Sequence, residues 1–140
     1  MNKTIKSIAL LAILILLGCN SNTSDNKPFT GDLASVFPKE VNINGTTYRR
    51  LELGPLKPES VKKYLKNLNE ADSQTVLDAL YLSPKEEAEG VMVARYPSAG
   101  DAEKAMIEMS KDDIHKEMTI WTRANLLFRA SNSAFKNQMK

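Results

Sequence analysis

The only cysteine of this 140-residue chain is Cys19, and it stands at the end of an apolar run, Ile8 to Leu17. Whatever folds beyond it has no second thiol for a disulfide, a thiolate metal site or a nucleophile. Small domains in oxidising compartments commonly lean on disulfides, so this one must hold together by packing. The apolar run is too short for a spanning helix, which needs about 20 apolar residues. With Lys3 and Lys6 ahead of it, the stretch 1–18 reads as a signal peptide.

Leu16-Leu17-Gly18-Cys19 resembles the lipobox of bacterial lipoproteins. That chemistry asks for a small residue, here Gly18, so that a peptidase can reach the backbone. It also asks for a thiol to carry diacylglycerol through sulfur. The resemblance implies cleavage before Cys19, lipid on its sulfur, and often a further acyl chain such as palmitate on the freed amine. Two or more chains hold a protein durably, whereas one holds it only marginally at ~0.8 kcal/mol per buried CH2. It also implies a bacterial cell envelope location, with the domain outside the cytoplasm. In such lipoproteins an aspartate after the cysteine often marks inner-membrane retention. Asn20 stands there instead, which favours the outer membrane and a domain facing the periplasm. The competing readings are an ordinary secretory signal with a chance cysteine, or a short membrane anchor.

Residues 19–27 read as a flexible tether, polar from Asn20 to Lys27 and without a large apolar side chain. Fully extended, that polar part reaches at most ~26–29 Å, which keeps the domain near the membrane surface. Residues 28–140 read as a single globular domain, with no internal repeat and no second low-complexity stretch. A chain of this size can bury a core. The full sequence carries 19 Lys and Arg against 17 Asp and Glu, and removing Lys3 and Lys6 leaves 17 against 17. A neutral domain lacks the electrostatic footprint of a nucleic-acid binder. Arg123, Arg129, Lys136 and Lys140 make the C-terminal end locally basic. That fits a solvated face, or a weak contact with anionic headgroups.

Hydrophobic periodicity supplies the elements. Asp32 to Phe37 suits a short helix stopped by Pro38. Asn44-Gly45 suits a type I′ turn between two extended segments of Val41 to Leu53. Pro58 can open a helix with Val61, Tyr64, Leu65 and Leu68 on one stripe. A second helix is expected over Ser73 to Tyr81. Ser83-Pro84-Lys85-Glu86 resembles a capping box and predicts a further helical turn, ended by Gly90. Val91 to Tyr96 reads as a central strand, apolar on both faces. A helix follows Ser98, with Asp101 at its positive end and Ala102, Ala105, Met106 and Met109 as its stripe. Thr119 to Arg123 and Leu126 to Ala130 read as a hairpin turning at Ala124-Asn125, and Ser133 to Lys140 as a frayed helix. The resulting order predicts an α+β fold: a small, mostly antiparallel sheet with helices packed on one face.

The catalytic patterns are weak. Ser60-Val61-Lys62-Lys63 and Ser133-Ala134-Phe135-Lys136 both match S-x-x-K, but no S-D-N or K-T-G partner accompanies them. His115, the only histidine, lies among Lys111, Asp112, Asp113 and Lys116, with no G-x-S-x-G to present a serine. Glu86-Glu87 and Asp112-Asp113 are adjacent carboxylates on polar segments, which usually face water. Gly100 is a lone glycine before a helix rather than a phosphate loop. One histidine and no spare thiol argue against zinc. Met106, Met109, His115 and Met118 carry soft ligands that would suit Cu(I). Methionines on a core-facing stripe more often fill gaps in packing.

No catalytic residue, cofactor site or metal site is therefore assigned, and Cys19 stands as the lipidation site. The expected function is that of a non-catalytic envelope lipoprotein, membrane-held through Cys19, whose domain binds another protein as an accessory factor. The alternative is a lipoprotein that binds a small ligand or Cu(I). A hydrolase with an unfamiliar site ranks behind both.

Overall fold

The computed structural model describes residues 27–65 and 76–140. Its strands are β1 (Glu40–Ile43), β2 (Thr46–Pro55), β3 (Val76–Leu82), β4 (Ala88–Arg95), β5 (Thr119–Arg123) and β6 (Leu126–Ala130). Two α-helices accompany them, α1 (Pro58–Tyr64) and α2 (Ala99–Ser110). The strands form one curled, half-barrel sheet in the order β1-β2-β3-β4-β6-β5. Every neighbouring pair is antiparallel.

Three hairpins build this sheet. The first turns at Asn44 (φ 51°) and Gly45 (φ 84°), both in the left-handed region that Asn and Gly tolerate. The third turns at Ala124-Asn125, with Ala124 at φ 50°. The second joins β3 to β4 and overturns two expectations at once. Val76–Leu82 is a strand, not the second helix expected over Ser73 to Tyr81; Ser73 to Thr75 lie outside the described residues. The Ser83-Pro84-Lys85-Glu86 motif closes a hairpin instead of opening a helix. Its Ser83 Oγ accepts from the N–H groups of Lys85 (3.2 Å) and Glu87 (3.1 Å), and Glu86 takes φ 63°. A serine that caps a helix can hold a turn by the same bonds, and only a following apolar stripe would favour the helix. Residues 84–88 are all exposed, so a helix there has nothing to bury.

The α+β expectation is thereby corrected: the fold is mostly antiparallel β. Among the described residues α2 is the only helix longer than about two turns. Placing β4 at the centre holds, since it pairs with β3 and β6.

Both faces of the sheet are packed. On one, Val41, Ile43, Tyr48, Ala79, Tyr81, Val91, Val93, Trp121 and Phe128 form a cluster. Leu33, Val36 and Phe37, from the 3-10 turn Leu33–Val36, cover it from the N-terminal side. Phe135 and Met139 cover it from the C-terminal side. Trp121 stacks on Phe128 with centroids 4.9 Å apart, and Phe135 tilts against Tyr81 at 5.3 Å. The C-terminal segment is thus docked rather than frayed, with Phe135 fully buried in a 3-10 helix, Ser133–Asn137. On the opposite face Val76, Met92, Ala94 and Leu127 meet Val61 and Leu65 from α1 and Ala102, Ala105 and Met109 from α2. Helix α1 ends sooner than its stripe suggests, because Leu65 already leaves helical geometry at φ −127°, ψ 71°. Leu68 lies outside the described residues.

Candidate functional site

Helix α2 lies over β5 and β6, and α1 follows β2. The outer half of that same face, on β1, β2 and the far end of β3, carries no described helix. Its geometry comes from a β-bulge. Arg50 pairs with Tyr81 and Glu52 with Leu80, so Leu51 is an extra residue with no partner on β3. The bulge reverses the alternation of β2. Before it, Tyr48 points to the buried cluster; after it, Leu53 does, opposite Ala79. Leu51 itself is 60% exposed, the most exposed of the large hydrophobic residues described.

Leu51 sits between two grooves. One, of about 800 Å³, is lined by residues 51–57 with Ser60, Asp78 and Leu80. The other, of about 600 Å³, is lined by Glu40, Thr47, Arg49, Arg50, Leu51, Leu82, Ser83 and Pro84. The first groove carries carboxylates from adjacent strands, Glu52 and Asp78, beside apolar Leu56 and Leu80. Asp78 as a whole stays exposed, yet the protein around its carboxyl displaces enough water to push its pKa above the usual range. The Arg129 guanidinium pulls the other way, and the Glu52 carboxylate adds to the rise. The second groove is lined by Arg49 and Arg50; Arg49 pairs with Glu40 at 3.0 Å, and Arg50 donates to the Phe37 carbonyl at 2.7 Å.

Arg129 also donates from Nε to Nδ1 of His115 at 2.9 Å. His115 is not the solvated residue its polar neighbours suggest: it is 3% exposed. The contact requires an imidazole whose Nδ1 is unprotonated, and it occupies the lone pair a metal would use there. Met109 is buried and Met106 packs against the same cluster, as a core stripe requires. Both thioethers thus belong to the packing between α2 and the sheet. Among the described residues no group of three His, Cys, Asp or Glu side chains could hold a metal ion.

The remaining sequence candidates fall apart spatially. Ser60 lines the first groove, with Lys63 exposed one turn further on. Ser133 and Lys136 are both exposed on the C-terminal 3-10 helix. Glu86 is a turn residue, while Glu87 Oε2 accepts from Tyr48 Oη at 3.2 Å. Asp112 caps the 3-10 turn Asp113–His115, and Asp113 pairs with Lys116 at 2.7 Å. The α2 N-terminus beside Gly100 is occupied by its own cap: Ser98 Oγ accepts from the Asp101 N–H at 3.1 Å and donates to Asp101 Oδ2 at 2.6 Å. Cys19 lies outside the described residues. No described helix is long and apolar enough to cross a membrane.

That Leu51, Asp78 and Arg129 share one face was not legible in the sequence. The bulge and the strand nature of β3 bring them to one face, and neither leaves a local signal. No protein-family model, curated protein or solved structure matches the chain.

Proposed function

We propose that this chain is a bacterial envelope lipoprotein, held to the membrane by lipid on Cys19, whose domain binds another protein without catalysis. The observation that carries the binding half is Leu51. A leucine 60% exposed at the tip of a bulge, between two grooves on a half-face with no described helix, is a surface suited to a partner. Apolar side chains ringed by Glu40, Arg49, Glu52 and Lys57 give the apolar centre and polar rim of a protein interface. The anchoring half rests on Leu16-Leu17-Gly18-Cys19.

Two arms test it in cells. A clickable fatty acid should label the wild-type chain and leave Cys19→Ser unlabelled; equal labelling would remove the anchor. A photo-crosslinking residue at Leu51 should yield a discrete protein adduct that the same residue at Lys136, on the C-terminal 3-10 helix, does not. Absence of an adduct at Leu51, or the same adduct at both positions, would remove the binding surface.

A further inference from the structure

The two edges of the sheet are finished differently. At β1, Arg50 N–H bonds to the Lys39 carbonyl at 2.9 Å, so Lys39, Val41 and Ile43 turn their backbone groups toward β2. Glu40 and Asn42 therefore face outward. The Asn42 groups are not left open. Gln138 Oε1 accepts the Asn42 N–H at 2.6 Å, and Gln138 Nε2 donates to the Asn42 carbonyl. A side-chain amide thus stands where the next strand would pair, beside the charged Glu40.

At β5 the alternation follows from β6. Tyr96 N–H bonds to the Asn125 carbonyl at 2.8 Å, and Ser131 N–H to the Gly90 carbonyl at 3.0 Å. Odd-numbered residues of β6 thus turn toward β4, and Leu126, Phe128 and Ala130 turn toward β5. Their partners there are Arg123, Trp121 and Thr119. Ile120 and Thr122 direct their N–H and C=O groups outward, and no described group bonds to them. Several usual edge defences are missing from the outward side of β5: the register is unbroken, the strand holds no proline, and neither outward residue is charged, while Arg123 at the strand's end donates to the Met139 carbonyl at 2.8 Å. Helix α2 packs against β5 and β6.

We infer that the outer edge of β5 pairs with β5 of a second copy of this chain, antiparallel about a two-fold axis at Trp121. That symmetry sets Ile120 opposite the second copy's Thr122, so the two outward residues exchange both bonds and four backbone hydrogen bonds form. The opposed side chains are both β-branched, a favourable cross-strand pair. Arg123, the only charge on the strand, falls opposite Thr119 and never faces itself. The two sheets join into one, and the closed β1 edges stop further growth. This pairing does not depend on the lipid anchor or on the Leu51 surface.

The test is the protein mass of the full chain, purified in detergent, measured by light scattering with the micelle contribution subtracted. The wild type should show twice the chain mass. Thr122→Pro should halve it while leaving circular dichroism and the urea midpoint unchanged, because proline at an outward edge position removes no bond of the sheet. If Thr122→Pro fails to fold, Thr122→Lys places a charge on the same edge and should give the same twofold drop. A wild type of single chain mass overturns the inference, and so does a folded Thr122→Pro or Thr122→Lys that keeps the doubled mass.

Discussion

Asn125 and Tyr96 hold each other twice. The Tyr96 N–H bonds to the Asn125 backbone carbonyl at 2.8 Å, and Asn125 Nδ2 donates to the Tyr96 carbonyl at 2.8 Å. The same amide accepts the Phe29 N–H through Oδ1 at 2.6 Å. One side chain, 4% exposed, therefore ties the end of β4 and the incoming N-terminal segment to the β5–β6 turn. Asn125→Ala keeps the turn but leaves the Tyr96 carbonyl and the Phe29 N–H without these bonds. Groups orphaned in the interior cost about 1–3 kcal/mol each. Urea melts should show a loss of that order; an unchanged midpoint would mean that water replaces the amide.

Leu65 and Leu51 separate packing from surface. Leu65 is 2% exposed against Val61, Val76 and Met92, so Leu65→Ala should cost roughly 2–5 kcal/mol through lost transfer energy and a cavity. Leu51→Ala removes a side chain that is 60% exposed and should change stability by under about 0.5 kcal/mol. Parallel urea melts check both. Under the proposed function Leu51→Ala should still weaken partner capture, so binding and stability separate at this position.

The first and third hairpins and α2 were legible because their signals are local. Asn44-Gly45 supplies positive φ where the turn needs it, and Ser98 with Asp101 caps α2 as the sequence implies. Val91 to Tyr96, apolar on both faces, could only be central. Strand β3 was not legible, since Val76 to Leu82 is apolar on both parities and a buried strand then looks like a buried helix. Its pairing with β2, some twenty residues earlier in the chain, and with β4 across a turn that reads as a helix cap decides the matter. The Ser83 motif misled because a cap and a turn use the same serine-to-backbone bonds. The candidate surface was hidden for a related reason: Leu51 and Leu53 share parity in the sequence, and only the bulge sends them to opposite faces. Cys19 and its lipid remain a reading of sequence alone.

Phe135 tests whether the C-terminal segment belongs to the core. It is fully buried against Tyr81, and its neighbour Gln138 closes the β1 edge. Arg123 Nη1 adds a bond to the Met139 carbonyl at 2.8 Å. Phe135→Ala should cost about 3–5 kcal/mol, a large fraction of what a domain of this size has. Lys136→Ala, exposed on the same 3-10 helix, should stay within about 0.5 kcal/mol. Equal thermal midpoints for the two variants would return this segment to the frayed helix that its composition suggests.

Alkaline pH offers a test of the two deeply packed phenols. Burial pushes Tyr81 up to about 12, with the Arg50 guanidinium working against it. Burial pushes Tyr96 up to about 12 as well, and the Glu108 carboxylate adds to the rise. Both ordinary values are 10.0, so the folded chain holds these protons more tightly than the unfolded one. Their contribution is fully present below about pH 10 and is lost as pH rises through about 12. Urea midpoints should therefore hold to about pH 9.5 and then fall, with tyrosinate absorbance appearing as the chain unfolds. The two hydroxyls differ in one respect. Tyr81 Oη donates to the Pro38 carbonyl at 2.8 Å, whereas Tyr96 Oη is buried with no partner among the described residues. Tyr81→Phe should lower neutral stability by about 0.5–1.5 kcal/mol, the worth of one hydrogen bond. Tyr96→Phe removes a hydroxyl that is buried at a cost, so neutral stability should stay level or rise. Each variant should make the alkaline fall shallower. A Tyr96→Phe protein that loses stability at neutral pH would show that its hydroxyl has a partner after all, and an alkaline fall as steep as the wild type's would place the titrating group elsewhere.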